Sequence, residues 1–297
     1  MSEFYHVPHI DWLAVTTKVS GSDRQKSVAE QVIFLLGGPT IWRLGRGLSG
    51  YESSYRHDSG AVVLFGGTDD MGVHLSLPSQ ALAYFGDVLF EVLDGWDWEA
   101  SRIDIAVDTD AVTVDWVLEN LDSVVTKTKH RVLVTDLVTG GKTLYLGSPK
   151  SGRKLIRIYD KAAQSSSLSV WTRVEVQLRK EFARAAYRAL RNGVPLADIL
   201  KRSVDFREPG DGDVYRRARL SWWASVVGDG KSCFRFPSRV RLDESVERLA
   251  AWVASYLAVP LAKCRVAMGD SWLRGVIFRG YSSIDVGYYR RCCAGST

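Results

Sequence analysis

Two acidic residues and a cation share one face of a predicted strand. Residues 102–108 read Arg-Ile-Asp-Ile-Ala-Val-Asp, in which polar and apolar side chains alternate. Because successive side chains of a strand point to opposite faces, Arg102, Asp104 and Asp108 lie together, away from the isoleucines and the valine. A half-buried strand whose polar side faces water shows the same alternation, so this pattern alone does not separate chemistry from packing.

A second stretch repeats the pattern and adds a third carboxylate. Residues 173–179 read Arg-Val-Glu-Val-Gln-Leu-Arg, which puts Glu175 on a polar face. Carboxylate oxygens are ligands that suit magnesium and manganese. If Asp104, Asp108 and Glu175 converge, we expect them to bind a divalent metal ion, Mg²⁺ or Mn²⁺, that would polarise a phosphodiester. An ion-pair ladder between the two strands is the alternative.

A tyrosine lies between two cations on a third predicted strand. Residues 155–161 read Leu-Ile-Arg-Ile-Tyr-Asp-Lys, so Tyr159 shares a face with Arg157 and Lys161. A phenol with an ordinary pKa of about 10 is a poor nucleophile at neutral pH. Nearby positive charge favours the phenolate, and a metal ion can activate the phosphate instead. Tyrosine is also common in strands, so a packing role stays open.

Groups that could grip a phosphate backbone follow in two places. The turn at residues 147–152 offers backbone amides, two hydroxyls and a lysine, and residues 202–219 are rich in arginine. The candidate DNA-binding residues are Ser148, Lys150, Ser151, Arg173, Arg216 and Arg217. The turn lacks the spacing of a nucleotide-binding P-loop. A plain strand connection and a solvated surface remain the alternatives.

The elements that must position these residues are strands and helices joined by short turns. We predict strands at 10–16, 60–65, 73–77, 101–108, 142–146, 154–161 and 170–179, and helices at 24–36, 80–93, 112–121, 180–190 and 242–257. Short connections between strands imply antiparallel neighbours. The pattern therefore predicts an α+β fold, with an antiparallel sheet core covered by helices. We expect a catalytic core at residues 1–232 and a helical, basic segment at 233–297 packed on it.

The composition limits the class of protein. The 297 residues, 46% of them hydrophobic, suffice for a packed core. Lysine and arginine outnumber the acidic residues 39 to 34, which mildly favours a polyanionic partner. The four cysteines lack zinc-site spacing and fit reduced thiols. With no segment like a signal peptide and no apolar run near the ~18 residues that span a bilayer, we expect a soluble cytoplasmic protein without a membrane partner.

The motifs, taken in order, resemble the Rep_trans family of replication initiation factors. The resemblance is carried by residues 102–108 (RIDIAVD), 143–148 (TLYLGS), 156–161 (IRIYDK) and 172–177 (TRVEVQ), and more weakly by 10–13, 72–76 and 222–223. It covers most of the chain. It implies a fold like those of relaxases and rolling-circle initiators, in a bacterial host.

The resemblance also implies an activity, which is nicking one strand at a plasmid or phage origin and later rejoining it. Carried over by position, it makes Tyr159 the nucleophile that becomes attached to the 5′ phosphate. Asp104, Asp108 and Glu175 match the metal positions, and the basic helpers match Arg157 and Lys161. The implied partners are origin DNA, single-stranded or supercoiled, and a host helicase and polymerase. The oligomeric state is left open, and a dimer is possible.

The sequence departs from many other rolling-circle nucleases, because it has no His-hydrophobic-His pair to bind a metal. The carboxylates must therefore do more of the coordination, and the lone His74 has no assigned role. Two other functions fit the same residues. One is a metal-dependent nuclease in which water attacks and Tyr159 only contacts the substrate. The other is a DNA-binding regulator of replication without catalysis, in which the charged strands form a salt-bridged scaffold.

Overall fold

The structure is a computed structural model of the 297-residue chain. It describes residues 6–128, 131–136, 138, 140–147, 152–165, 171–237 and 253–281. The chain divides into two compact units, Met1–Pro237 and Ser238–Thr297. The boundary expected from the sequence, between residues 232 and 233, stays a prediction, as does the packing of the C-terminal segment on the core.

Strands and helices alternate through the first unit. The strands are β1 (His9–Thr17), β2 (Arg43–Arg46), β3 (Ser53–Arg56), β4 (Val62–Phe65), β5 (Val73–Pro78), β6 (Trp98–Thr109), β7 (Val124–Val125), β8 (Arg131–Thr135), β9 (Lys142–Leu146), β10 (Lys154–Asp160), β11 (Thr172–Arg179) and β12 (Asp205–Phe206). The α-helices are α1 (Ser22–Leu35), α2 (Ser79–Phe85), α3 (Val88–Gly95), α4 (Val114–Glu119), α5 (Lys161–Ser165), α6 (Lys180–Arg191), α7 (Leu196–Ser203) and α8 (Ser221–Val227).

Ten of the strands that the structure describes form one antiparallel sheet. Their order is β2-β3-β4-β5-β1-β6-β11-β10-β9-β8, and β12 pairs with β7 in a separate two-stranded sheet. Strands β6, β11, β10 and β9 thus lie side by side, although helices and loops separate them in the sequence. The predicted fold class, an antiparallel sheet covered by helices, is confirmed.

The apolar face of the sheet forms the core. Alternation along β6, β10 and β11 puts their branched aliphatic side chains on this face, where they are fully buried: Ile103, Ile105, Val107, Ile156, Ile158, Val174, Val176 and Leu178. The buried sides of α1, α6, α7 and α8 belong to the same cluster. Because burying one such side chain contributes about 1.5–3 kcal/mol, this face fixes the strand register and turns the polar side chains the other way.

The helix predicted at residues 80–93 is two helices, α2 and α3. They are separated at Gly86, whose φ of 51° lies in the left-handed region that ends helices. The two-residue strands β7 and β12 and the helices α5, α7 and α8 were not predicted from the sequence. Nor were β2, β3 and β8, whose residues are mostly exposed or polar, so that these strands carry little apolar alternation.

The second unit is helical where the structure describes it. A π-helical turn at Val253–Leu257 precedes two α-helices, Ala258–Met268 and Asp270–Tyr281. Most of the helix predicted at residues 242–257 lies outside the described residues. None of the helices described in either unit has the length and apolar character to cross a membrane.

Candidate functional site

Polar side chains of three neighbouring strands meet on the sheet face opposite the core. On β11, Glu175 lies opposite Arg157 of β10, and Arg173 lies opposite Tyr159. On its other side, Arg173 lies opposite Asp108 of β6. We call this surface of β6, β11 and β10 the polar face. The polar side chains that the sequence predicted on three separate strands therefore lie on one surface.

Asp104 is the centre of a charged network on the polar face. Its carboxylate is fully buried and accepts hydrogen bonds from Arg102 Nε at 2.9 Å and from Gln177 Nε2 at 3.0 Å. The Arg157 guanidinium donates to the same carboxylate at 3.2 Å and also to Oε1 of Glu175. Because a buried carboxylate is costly unless it is paired, these donors are what allows Asp104 to lie here.

A second network lies at the end of β6. Arg173 donates from Nε and Nη2 to both carboxylate oxygens of Asp108, at 2.6 and 2.7 Å, and from Nη1 to Asp11 of β1 at 2.7 Å. The guanidinium thus holds two carboxylates in fixed positions with charge-assisted hydrogen bonds. This geometry gives Arg173 a structural task, although the sequence predicted a contact with DNA.

The hydroxyl of Tyr159 points at Glu175. It donates to Oε2 at 3.3 Å, and the tyrosine is 8% exposed. Burial raises the pKa of the Tyr159 hydroxyl well above its usual value, and Glu175 raises it further, while Arg173 and Arg157 only partly oppose this. Arg157 thus favours the phenolate, as the sequence predicted, but burial outweighs its effect.

Glu175 has the properties of a proton acceptor. Burial and the negative charge of Asp104 together raise its pKa to about 7, and the lowering effect of Arg157 only partly opposes them. A carboxylate with a pKa near neutral pH is well matched to taking up and releasing a proton. The Tyr159 hydroxyl, which contacts Glu175, carries a proton that this carboxylate could take up.

The two predicted basic helpers differ in position. Arg157 lies within the network, and its buried Nε has no hydrogen-bond partner, so the guanidinium retains one unused donor. Lys161 follows β10 as the first residue of α5, and its Nζ lies 6.0 Å from the centre of the Tyr159 ring. Both side chains are near the phenol, as the alternation predicted.

The carboxylates suit a hard divalent cation by their chemistry, but only two of the three are brought to one point. Asp104 and Glu175 both contact Arg157, whereas both oxygens of Asp108 accept from Arg173. Within the described part of the chain, no group of three or more His, Cys, Asp or Glu residues is placed to hold a metal ion. The contacts correspond to the ion-pair ladder, with the Arg157 guanidinium between Asp104 and Glu175, so binding of Mg²⁺ or Mn²⁺ by these residues stays a prediction.

The predicted DNA-binding residues are not all near the polar face. Arg216 is 88% exposed, and Arg217 is held by Asp122 at 3.0 Å and by the Gly212 carbonyl at 3.1 Å, on the segment after β12. Ser148, Lys150 and Ser151 lie outside the described residues. Contact of these five residues with DNA stays a prediction.

Three residues that contribute to the site were not predicted from the sequence. Asp11 bonds Arg173, Trp12 stacks its ring under the Arg102 guanidinium at 4.4 Å, and Gln177 bonds Asp104. Only Gln177 carried a signal, because it shares the alternation of β11. Asp11 and Trp12 are consecutive, so strict alternation would put one of them on the opposite face of the sheet. A register shift in the pairing of β1 with β6, between Ile10 and Trp12, brings Asp11 to Arg173.

Comparison with known proteins agrees with this architecture. A family model described as replication initiation factor, Rep_trans, matches residues 99–277, which include β9, β10, β11 and all but the first residue of β6. Among solved structures, the chain is similar to a rolling circle replication initiator protein from Geobacillus stearothermophilus. The TM-score is 0.59 at 23% identity, over 78% of this chain and 98% of that one. No curated protein matches the chain.

Proposed function

Because the chain belongs to the Rep_trans family of replication initiation factors, we propose that it starts rolling-circle replication by nicking one strand of an origin through Tyr159. The observation that carries this proposal is the contact between the Tyr159 hydroxyl and Glu175, beside the Arg157 guanidinium. A nucleophile, a proton acceptor and a phosphate-binding cation are the groups that a transesterification requires. The similar fold of a rolling circle replication initiator protein supports the same role.

In the proposed reaction, the phenolic oxygen attacks the phosphorus of an origin phosphodiester. The Tyr159 proton passes to Glu175, the new bond joins the tyrosine to the 5′ phosphate, and the bond to the 3′ oxygen breaks. The leaving oxygen takes up a proton and becomes a free 3′-hydroxyl. Arg157, with its unused Nε donor, stabilises the negative charge that develops on the phosphate oxygens. Lys161, near the ring, is placed to assist it.

Arrival of the phosphate would also make Glu175 a better acceptor for the proton of the phenol. A phosphate bound to Arg157 competes with Glu175 for the guanidinium, which makes Glu175 more basic and better able to accept the proton. As an alternative to proton transfer through Glu175, a divalent Mg²⁺ or Mn²⁺ ion would be held by Asp104 and Glu175, and when bound it would offset negative charge on the phosphate. Asp108 is the remaining predicted ligand and is engaged by Arg173 here.

The link conserves the energy of the phosphodiester, so no nucleotide hydrolysis is needed to rejoin the strand. A host polymerase would extend the 3′-hydroxyl, and a host helicase would separate the strands. After one round, a new 3′-hydroxyl attacks the phosphotyrosine, which releases Tyr159 and closes the circle. Glu175 then returns the proton to the phenol.

Covalent capture tests the proposal. Purified protein is incubated with end-labelled single-stranded origin DNA and manganese, and protein that carries label after denaturation is digested and sequenced. The expected result is a nucleotide on the peptide that contains Tyr159. Cleavage without any adduct would favour the water-attack nuclease, and binding without cleavage of a supercoiled origin plasmid would favour the regulator.

A further inference from the structure

A cavity of about 440 Å³ lies away from the polar face, on the other side of β10. The residues that line it are 125–127, 201–205, 207, 215, 219, 231, 232, 234 and 235. Next to it, Lys154 begins β10 and donates from Nζ to the Ser203 carbonyl at 2.7 Å. Because side chains alternate along a strand, Lys154 and Tyr159 lie on opposite faces of β10. The cavity is therefore separate from the candidate nicking site.

The walls of this cavity are strongly cationic. Seven of the residues that line it are lysine or arginine, and one is acidic: Lys127, Lys201, Arg202, Arg207, Arg219, Lys231 and Arg235 against Asp205. Such an accumulation repels itself and focuses a positive potential in the concavity. A negatively charged occupant would relieve that repulsion.

Asp205, the acidic residue in the cavity wall, is already paired with two arginines of the protein. Asp205 accepts from Arg207 at 2.6 Å and from Arg219 at 2.9 Å. The Nε of Arg207 is buried and has no hydrogen-bond partner. Across the described residues, no ion pair is made by four of the lining cations, Lys127, Arg202, Lys231 and Arg235. The cavity thus has several donors and charges to offer to a ligand.

The same excess of positive charge affects the pKa of Lys154, which lies next to the cavity. Burial, together with the positive charges of Lys127 and Arg202, lowers the pKa of Lys154 to about 8. Its ammonium group is retained by the Ser203 carbonyl, which is a neutral acceptor. An anion in the cavity would favour the protonated form of this lysine.

An exposed aromatic ring lies beside the cations. Tyr215 lines the cavity and is 67% exposed, in the short helical turn Val214–Arg216. A cationic groove next to an aromatic side chain is typical of proteins that bind single-stranded nucleic acid, because the phosphates meet the cations and a base stacks on the ring. The exposed ring favours a nucleic acid strand over a free anion.

We propose that this cavity binds backbone phosphates of single-stranded DNA, with a base stacked on Tyr215. The site would hold the displaced or unpaired strand at a distance from Tyr159. It does not depend on the nicking chemistry, since none of its residues belongs to the polar face. It would bind strands without regard to sequence, because phosphates and base faces are common to all of them.

The test measures binding of a fluorescent oligothymidylate, which contains no origin, to the full chain with Tyr159→Phe as background. The test variant carries Arg202→Glu and Lys231→Glu, two exposed residues without ion pairs. The matched control carries Arg24→Glu and Arg46→Glu, exposed residues of α1 and β2 that give the same change in net charge. A third variant carries Tyr215→Ala. Circular dichroism verifies that each protein is folded.

We expect the test variant to bind at least tenfold more weakly than the control. Its salt dependence should be flatter by about 0.7 in log K against log salt for each phosphate that the variant no longer neutralises. Tyr215→Ala should weaken binding about fivefold or more, because the base can no longer stack on the ring. Equal affinities of the test and control variants would overturn the proposal. Binding of inorganic pyrophosphate to the same variants is measured as well. If the control bound pyrophosphate and the test variant did not, while both bound DNA equally, the cavity would be a site for a free phosphate ligand, and the DNA assignment would be wrong.

Discussion

The Tyr159 hydroxyl lies 3.3 Å from Oε2 of Glu175, on an adjacent strand of the same sheet. This distance joins two residues that were expected to have different tasks, one as nucleophile and one as metal ligand. It supports the proposal that the carboxylate removes the phenolic proton. Substitutions of this pair, and of the charged networks that hold it, should therefore have separable effects on nicking, binding and stability.

Tyr159→Phe should abolish nicking and covalent attachment while leaving the fold and the DNA affinity nearly unchanged. The substitution removes one oxygen and keeps the ring, which is almost fully buried. Adduct formation on labelled origin DNA and affinity for the same DNA are the two measurements. Tyr145→Phe is the matched control, because Tyr145 lies opposite Arg157 on β9 and is the next candidate nucleophile. Loss of the adduct with Tyr145→Phe, but not with Tyr159→Phe, would move the nucleophile to Tyr145.

Glu175→Gln should slow nicking by about a hundredfold or more, in keeping with loss of a proton acceptor. An amide is also a weaker metal ligand than a carboxylate, so high manganese should restore part of the rate. Single-turnover nicking rates at several manganese concentrations give the answer. Glu181→Gln, a partly exposed residue of α6 paired with Arg153, serves as the control and should nick at the normal rate. An unchanged rate in Glu175→Gln would exclude both roles.

Arg173→Met should destabilise the fold by about 3–5 kcal/mol, because it leaves the carboxylates of Asp108 and Asp11 without their cation. Urea unfolding followed by fluorescence measures the change. Arg216→Met, at an 88% exposed side chain, should change stability by less than about 0.5 kcal/mol. A stable Arg173→Met protein with weakened DNA binding would support instead the DNA contact predicted from the sequence.

The depressed pKa of Lys154 should make stability depend on pH. Since its folded pKa of about 8 lies below the unfolded value near 10.5, the unfolded chain binds more protons in that interval and stability rises with pH. Lys154→Met removes this contribution. The variant should therefore gain most over the natural protein near pH 7, and its advantage should shrink between pH 8 and 10.5. Lys18→Met, at an exposed lysine, is the control for unfolding measured across that range.

The arginines of residues 202–219 should make DNA binding weaken steeply with salt, because bound phosphates release condensed counterions. The two arginines predicted to contact DNA should differ. Arg216→Ala should lower affinity for origin and unrelated sequences alike, whereas Arg217→Ala should mainly lower stability, since its side chain is held by Asp122 and Gly212. Salt titrations and unfolding curves of the two variants separate these effects. A flat salt dependence would indicate a different kind of partner.

The alternation of residues 102–108, 155–161 and 173–179 was sufficient to predict three strands and to put Asp104, Tyr159 and Glu175 on polar faces. That inference is reliable because a strand has a period of two, and its apolar side chains must be buried together. The antiparallel arrangement of the sheet was predicted from the short connections between the strands around residues 142–179. The Rep_trans motifs lie on β6, β9, β10 and β11, the four strands that come together.

Only the tertiary structure decided how the charges on that face are paired. Register puts Glu175 opposite Arg157 and Arg173 opposite Asp108, so each cation meets a particular carboxylate, and the sequence does not specify which residues of separate strands lie across from each other. The irregular pairing of β1 brings Asp11 to Arg173, against simple alternation. The pKa of Tyr159 was likewise decided by burial, which outweighs the nearby cations Arg173 and Arg157. Desolvation depends on everything packed around a group, and that environment exists only once the chain is folded.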